Sequence, residues 1–354
     1  MKQLFTLLLT LASVACGPAD KPSSAPGTAS ATANTLRIGN GAEPQTLDPH
    51  RAEGVPESNI LRNLFEGLVG EAPDGGLVPG VAESWILSDD GLVYTFQLRK
   101  NARWSNGDPV TARDFEYGLR RSVDPATLSR YSSILFPIVN AEAVVNGDLP
   151  PSDLGVRAID EYTFEIRLNA PTAYLPGMLT HSSTYPVHQP SVAAGGERFA
   201  RPGKLVSNGA YQLSEWVVQS HVRLDRNPEY WDAANTQIDT VYFYAIENPD
   251  AELKRYRADE LDITDGLPYN QLTWVRENLG DEQTRWMLSD LLRDSIYFAM
   301  REGQTTPAVG ETLEVTLTEN VLGPVEQSVG GLTDVVASQV EASARRTENT
   351  LKGI

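Results

Sequence analysis

The sequence predicts a fold of mixed α+β structure, and two kinds of local pattern support this prediction. The segments LVYTFQLR (92–99) and YTFEIRL (162–168) alternate apolar and polar residues, which is typical of half-buried strands. The segment VTARDFEYGLRRSV (110–123) is predicted to form a helix that begins after Thr111, with Asp114 three residues later as the capping-box partner. No repeat of 20–50 residues is present, which excludes solenoid architectures. We therefore expect an α/β protein with largely mixed sheets.

Further elements follow along the chain. TLRIGN (35–40) and IDTVYFYAI (238–246) are predicted strands, and NPDAELKRYRADELDI (248–263) a helix that runs into a strand. EGVPESNILRNLFEGLV (53–69) has turn residues before a helical run, whose apolar residues are Ile60, Leu61, Leu64, Phe65 and Leu68. Of these, Leu64, Phe65 and Leu68 are assigned to core packing. The basic side chains of the helix after Thr111 are expected on a solvated face: Arg113, Arg120 and Arg121. Asn208-Gly209 is interpreted as a turn.

Composition limits the classes of function. The formal net charge of −18 opposes binding to nucleic acid, which requires a basic surface. Cys16 is the only cysteine, so the chain can form neither an intramolecular disulfide nor a cysteine-based zinc site. The four histidines occur singly and outside metal-type spacings, so we interpret them as structural or surface residues. We expect no metal and no cofactor.

The sequence gives no support for an enzyme. The phosphate-binding patterns GxGxxG and GxxxxGK[ST] are absent, and so are the hydrolase patterns GxSxG and HExxH. The acidic pair Asp89-Asp90 precedes Gly91, which is typical of a turn rather than of a catalytic dyad. We therefore predict a protein without catalytic activity.

The amino terminus is predicted to be a targeting segment. Residues 1–15 combine one basic residue with a short apolar run, as in a secretory signal peptide. The sequence SVAC resembles a bacterial lipobox, so Cys16 is expected to be lipid-modified and to anchor the chain to a membrane. An ordinary signal peptide with an inert cysteine is the alternative. Residues 16–35 are rich in Pro, Ser, Ala, Gly and Thr and are expected to form a flexible tether.

A series of longer motifs is similar to one bacterial family. These motifs are PQTLDPHRAEGVPESNILRNLFEGLV (44–69), WSNGDPVTARDFEYGLRRSVDP (104–125), NGAYQLSEWVVQ (208–219) and RNPEYWD (226–232). In this order they resemble the periplasmic oligopeptide-binding proteins, which are family 5 solute-binding receptors of ABC peptide importers. The resemblance covers about residues 36–290.

The resemblance implies a domain organisation like that of class II periplasmic solute-binding proteins. A split first domain would comprise residues 36–66 and 190–298, and a smaller second domain residues 67–189. In the family a third domain follows and closes over the binding cleft. The chain would work in the periplasm or at the outer surface of the cell envelope, as a monomer, and deliver oligopeptides to the membrane subunits of an ABC permease.

The resemblance also implies binding residues. The positions matching Glu53, Gly54 and Val55 lie beside the bound peptide, and Tyr131 matches a tyrosine of the cleft. Such receptors hold peptides of many sequences through main-chain hydrogen bonds, while side chains enter hydrated pockets. Two alternatives stay open from the residues themselves: Gly54-Val55-Pro56 can be only the turn that starts a helix, and Tyr131 can be a core aromatic residue.

The resemblance stops near residues 291–300. Residues 299–354 contain no aromatic residue and no histidine and lack family motifs. This tail implies a chain that is C-terminally truncated or frameshifted, with the third domain missing, so that a peptide receptor would be impaired. A surface lipoprotein that acts as a non-transport interaction module, or a non-functional remnant, is the alternative.

Overall fold

The structure is a computed structural model that describes residues 34–72 and 75–279. Several predictions fall outside the described residues: the signal peptide 1–15, lipid-modified Cys16, most of the tether 16–35, and the divergent tail 299–354. The described residues belong to one compact unit. The predicted division into domains therefore stays a prediction.

The described residues form ten strands and seven α-helices. The strands are β1 (Thr35–Gly39), β2 (Val69–Glu71), β3 (Leu77–Pro79), β4 (Ala82–Leu87), β5 (Val93–Leu98), β6 (Val156–Ala158), β7 (Thr163–Arg167), β8 (Tyr211–Val217), β9 (His221–Arg226) and β10 (Thr240–Tyr244). The helices are α1 (Val55–Leu64), α2 (Ala112–Val123), α3 (Ala141–Val145), α4 (Leu175–Met178), α5 (Gln189–Gly195), α6 (Pro249–Arg257) and α7 (Leu272–Leu279).

One four-stranded sheet joins the beginning of the chain to a much later part. Its order is β1-β10-β9-β8, with β1 parallel to β10 and the other pairs antiparallel. Ile38 of β1 lies opposite Phe243 of β10. The buried positions Val241 and Phe243 alternate with half-buried ones, as expected for a sheet that buries one face. The predicted strands at 35–40 and 238–246 are confirmed.

A second four-stranded sheet, of order β4-β5-β7-β6, is antiparallel throughout. Tyr94 and Phe96 of β5 and Phe164 and Ile166 of β7 are buried, which confirms the alternation seen in the sequence. Phe96 and Phe164 are directly opposite in register. Helix α2 covers this face, where the ring of Phe115 lies 6.0 Å from that of Phe164. Strands β2 and β3 form a separate two-stranded hairpin.

The start of α2 confirms the capping prediction, but one of its arginines does not lie where it was expected. The carboxylate of Asp114 accepts the backbone N–H of Thr111 at 2.7 Å and its hydroxyl at 2.9 Å. Arg121, predicted on a solvated face, instead binds the buried carboxylate of Asp48. Charge pairing across 73 residues of sequence overrides the helical pattern there, because a buried carboxylate needs a counterion.

The predicted core residues Leu64, Phe65 and Leu68 are all buried, the first at the end of α1 and the other two just after it. Ile60 and Leu61 of α1 are buried as well. The chain is then held by Asn208, whose side-chain amide accepts the N–H of Glu66 at 3.1 Å and donates to its carbonyl at 2.9 Å. Gly209 packs against the backbone of α1, and its N–H donates to the carbonyl of Leu64 at 2.8 Å. The chain bends at Gly209, where a turn was predicted, and Asn208 and Gly209 also clamp the end of α1.

The later part of the described chain matches the prediction only in its helix. Helix α6 is confirmed, but the strand predicted after it is reduced to one parallel bridge between Ile38 and Ile263. No helix among the described residues is long and apolar enough to cross a membrane.

Candidate functional site

The structure brings the predicted site residues Glu53 and Tyr131 together. The hydroxyl of Tyr131 donates a hydrogen bond to the backbone carbonyl of Glu53 at 3.0 Å. The neighbouring Arg130 places its Nε 3.3 Å from the carboxylate of Glu53, and both side chains are exposed. Such an exposed ion pair contributes at most about 1 kcal/mol to stability. Tyr131 is half-buried, so it is not a core aromatic residue.

Gly54 and Val55 form the N-terminus of α1. Gly54 is the N-cap with an extended backbone, φ −106° and ψ 165°, and Pro56 follows in the first turn. This geometry confirms that the segment starts a helix. Val55 is 67% exposed, so its apolar side chain is available to a ligand.

Packing beneath the loop explains the glycine at position 54. A Cβ there would lie 2.3 Å from Oε2 of Glu57, which is closer than real contacts allow. Glu57 cannot move away freely because its Oε1 accepts the N–H of Gln45 at 2.6 Å. The side-chain amide of Asn40 also donates to the carbonyl of Pro56 at 3.1 Å. Hydrogen bonds to the preceding loop residues Asn40 and Gln45 thus fix the first turn of α1.

His181 lies against Tyr131 and was missed by sequence reasoning. The two ring centroids are 4.7 Å apart. The backbone N–H of Ser183 donates to Nδ1 of His181 at 3.2 Å, which places the ring proton on Nε2. Burial, and then the charge of Arg62, lower the pKa of His181. Because 50 residues separate Tyr131 from His181, no local pattern in the sequence signals this contact.

A buried charge cluster anchors the loop that leads to Glu53. Arg121 donates to both carboxylate oxygens of Asp48, at 2.8 and 2.6 Å, and Nη1 also donates to Nδ1 of His50 at 2.8 Å. The other ring nitrogen of His50 donates to the carbonyl of Tyr185 at 2.9 Å. This pattern requires a neutral imidazole with its proton on Nε2.

The electrostatics of the cluster agree with this assignment. Burial, and then the Arg121 guanidinium, lower the pKa of His50 to about 4, so His50 is neutral at pH 7. Burial by itself would raise the pKa of Asp48, but the bonds and the charge of Arg121 outweigh it and hold that pKa below its ordinary value. A charged Asp48 and a neutral His50 therefore share one arginine.

Among the described residues, no group of three or more His, Cys, Asp or Glu side chains is placed to hold a metal ion. The candidate site offers main-chain hydrogen-bonding groups next to the exposed Val55 and the ring pair of Tyr131 and His181.

Comparison with known proteins identifies the family. The sequence model described as bacterial extracellular solute-binding proteins, family 5, middle part, matches residues 76–303. The chain belongs to this family. Its curated relatives include the periplasmic oligopeptide-binding protein OppA of Escherichia coli, 45% identical over 259 residues, which are 72% of this chain and 48% of OppA. The periplasmic murein peptide-binding protein MppA of Escherichia coli is 43% identical over 230 residues, which are 64% of this chain and 42% of MppA.

Solved structures agree with the fold. Haemophilus influenzae OppA in complex with the peptide RPPGFSPFR is 43% identical with a TM-score of 0.68, covering 70% of this chain and 49% of OppA. Escherichia coli MppA is 40% identical with the same TM-score of 0.68, also covering 70% and 49%. The mixed α/β fold of this solute-binding protein is therefore that of the OppA and MppA structures. The chain spans about half the length of these relatives.

Proposed function

We propose that this solute-binding protein is an extracytoplasmic receptor that binds oligopeptides for an ABC importer and works in the periplasm as a monomer. Family membership supports the proposal, as do relatives named as oligopeptide-binding and murein peptide-binding proteins. In this proposal the receptor passes its ligand intact to the membrane subunits of a permease and has no catalytic activity. Cys16 is the proposed lipid-modified residue that anchors the chain to a membrane.

We assign the peptide contact to Glu53, Gly54, Val55 and Tyr131. The observation that supports this assignment most directly is the 3.0 Å hydrogen bond from the Tyr131 hydroxyl to the Glu53 carbonyl. This bond holds the backbone just before α1 in an extended form, next to an exposed Val55. An extended peptide can form main-chain hydrogen bonds with such a backbone whatever side chains the peptide carries, which suits a receptor for varied sequences.

We expect peptide binding by this chain to be weak. The contacts assigned here are a few hydrogen bonds in reach of water, each of which contributes about 0.5–1.5 kcal/mol net. Association costs at least about 4 kcal/mol in lost freedom of motion. The remaining binding free energy corresponds to a dissociation constant of about 1 mM or weaker.

Saturation-transfer NMR of tri- to pentapeptides, titrated to millimolar concentration against the full chain, tests the proposal. Tyr131→Phe removes only the hydroxyl that holds the Glu53 carbonyl, so that backbone should be less ordered before a peptide arrives. Binding should weaken by up to about 10-fold, the full free energy of that one intramolecular bond. Tyr174→Phe is the matched control, because Tyr174 is 67% exposed and lies outside the assigned contact.

The outcomes are distinct. A micromolar or tighter constant that disappears on mutation of Tyr131 would support the site but contradict the expected weakness. Equal binding by wild type and Tyr131→Phe would refute the assignment of the site. A folded chain that binds no peptide would contradict the receptor proposal and favour an interaction module without transport function.

A further inference from the structure

A second candidate site is a cavity of about 450 Å³ between helix α2, the loop before α1, and α5 with the turn that follows it. Its volume lies in the range of roughly 300–1,000 Å³ that is common for small-molecule sites. The residues that line it include none of the four assigned to the peptide contact. What the cavity can bind is therefore set by its own side chains.

Charged side chains of both signs line this cavity. The arginines are Arg51, Arg120 and Arg121, and the carboxylates are Asp48, Asp124 and Glu197. Two of the arginines already have carboxylate partners: Arg121 pairs with Asp48 at 2.6 Å, and Arg120 pairs at 2.9 Å with Glu116, which is outside the lining. Within the described part of the chain, Arg51, Asp124 and Glu197 make no ion pair. A positive and a negative charge therefore both remain available to a ligand.

Polar groups of the cavity also have unused hydrogen-bonding capacity. No other described residue forms a hydrogen bond with the guanidinium of Arg51 or with the hydroxyl of Tyr117. One carboxylate oxygen of Asp124 accepts the backbone N–H two residues later at 2.9 Å, and the other accepts no hydrogen bond from the described residues. Burial raises the pKa of Tyr117, the Arg121 guanidinium opposes the increase and Asp124 adds to it, so the hydroxyl lies among these charges.

These groups suit a ligand that carries one charge of each sign. A ligand carboxylate can accept charge-assisted hydrogen bonds from Arg51 together with a bond from the Tyr117 hydroxyl. A ligand ammonium group can donate to the free oxygen of Asp124, which caps the C-terminal end of α2, the end of a helix that favours positive charge. A ligand with only one of these charges would cover the other polar groups without pairing them, which costs free energy.

We propose that this cavity binds a free amino acid as a zwitterion, with the carboxylate at Arg51 and Tyr117 and the ammonium group at Asp124. Pro151 and Val192 add apolar surface to the same lining, which favours an amino acid with an apolar side chain. This site goes beyond the proposed function, because peptide binding at the contact before α1 does not require it.

Saturation-transfer NMR of L-leucine against the full chain tests the proposal. Two analogues serve as probes of the charges: leucinamide lacks the carboxylate, and 4-methylpentanoate lacks the ammonium group. Leucine should bind, and each analogue should bind about 10-fold more weakly or worse, the loss of one charged hydrogen-bonding group. Absence of transfer to leucine, or an analogue that binds as tightly as leucine, would overturn the proposal. These comparisons use the unchanged protein, so they do not depend on the folding of any variant.

Two variants test the assigned residues. Arg51→Met removes the guanidinium, and Asp124→Asn removes the charge but keeps the oxygen that accepts a backbone N–H. Each should weaken leucine binding by about 10-fold or more. Arg113→Met is the matched control, because Arg113 is an exposed arginine of α2 outside the cavity lining, and it should bind leucine as wild type does. An equal loss in Arg113→Met, or no loss in Arg51→Met, would refute the site. Loss in Tyr131→Phe instead would place leucine at the peptide contact.

Discussion

Replacing Arg121 with methionine should lower the free energy of unfolding by about 3–5 kcal/mol, the usual cost of removing one partner of a buried ion pair. The side chains of Arg121 and Asp48 are only 15% and 6% exposed. Methionine fills much of the same volume, so the change tests charge and hydrogen bonding more than packing. The variant leaves the Asp48 carboxylate buried without its counterion.

The magnitude follows from the bonds that are lost. Arg121 makes two bonds to the carboxylate of Asp48 and one to the imidazole of His50. Each buried acceptor left unpaired costs about 1–3 kcal/mol, and more when it is charged. Oδ1 of Asp48 keeps the backbone N–H of His50 at 3.1 Å, so the acceptors left unpaired are Oδ2 of Asp48 and Nδ1 of His50. Their combined cost of about 2–6 kcal/mol brackets the expected loss.

The cost should depend on pH in a defined direction. In wild type the pKa of Asp48 lies below its ordinary value of 3.8, so the pair contributes stability above pH 3.8 that is lost as the pH falls through the lowered pKa. In Arg121→Met burial acts without the arginine, so the pKa of Asp48 should rise and the carboxyl group should become neutral at mildly acidic pH. The difference in stability between wild type and variant should therefore shrink on acidification.

Urea denaturation followed by circular dichroism, at pH 7 and about pH 4, measures these differences. Arg120→Met is the matched control, because Arg120 is the preceding residue of α2 and pairs with Glu116 across one helical turn, with 31% and 21% of the side chains exposed. A pair of that kind contributes about 0.3–0.5 kcal/mol. A loss below 1 kcal/mol in Arg121→Met, or a loss equal to that of Arg120→Met, would refute the reasoning.

Three further predictions follow. Gly209→Ala should cost about 1–3 kcal/mol, because the new Cβ would lie 2.7 Å from the carbonyl oxygen of Asn63; thermal melting should show no such loss for Gly177→Ala, where nothing lies within 4 Å. Cys16→Ser should release the protein from membrane fractions if Cys16 carries the lipid anchor, and unchanged sedimentation with membranes would exclude that role. A peptide pool incubated with purified protein should remain intact by mass spectrometry, and cleavage that survives repurification and vanishes on a single substitution would reveal an enzyme.

Local chemistry made much of the fold predictable. The alternation in β5 and β7 encodes which face is buried, and that information lies within seven residues of sequence. The capping of α2 is equally local, since Thr111 and Asp114 are three residues apart. Such signals are independent of the rest of the chain, which is why they were confirmed.

Long-range side-chain pairing was not predictable in the same way. The partner of Arg121 is 73 residues away, and Asn208 binds backbone 142 residues away. A helical pattern can predict that a residue faces another part of the chain, but it cannot predict that a buried carboxylate lies there. The sequence placed Glu53 and Tyr131 at one site only through resemblance to a family, and it gave no sign of His181.

The residues that hold the loop of the candidate peptide contact are buried under it, and this burial affects how tightly the loop can bind a peptide. Val55 is exposed, whereas the residues that hold its loop are buried: Asp48 and His50 before it and Glu57 after it. A loop fixed from below loses little conformational freedom when a ligand arrives, so less of the binding free energy is spent on ordering. Substitution of Asp48 should therefore weaken the binding of a ligand that Asp48 does not contact, because the backbone that pairs with the ligand would become less ordered.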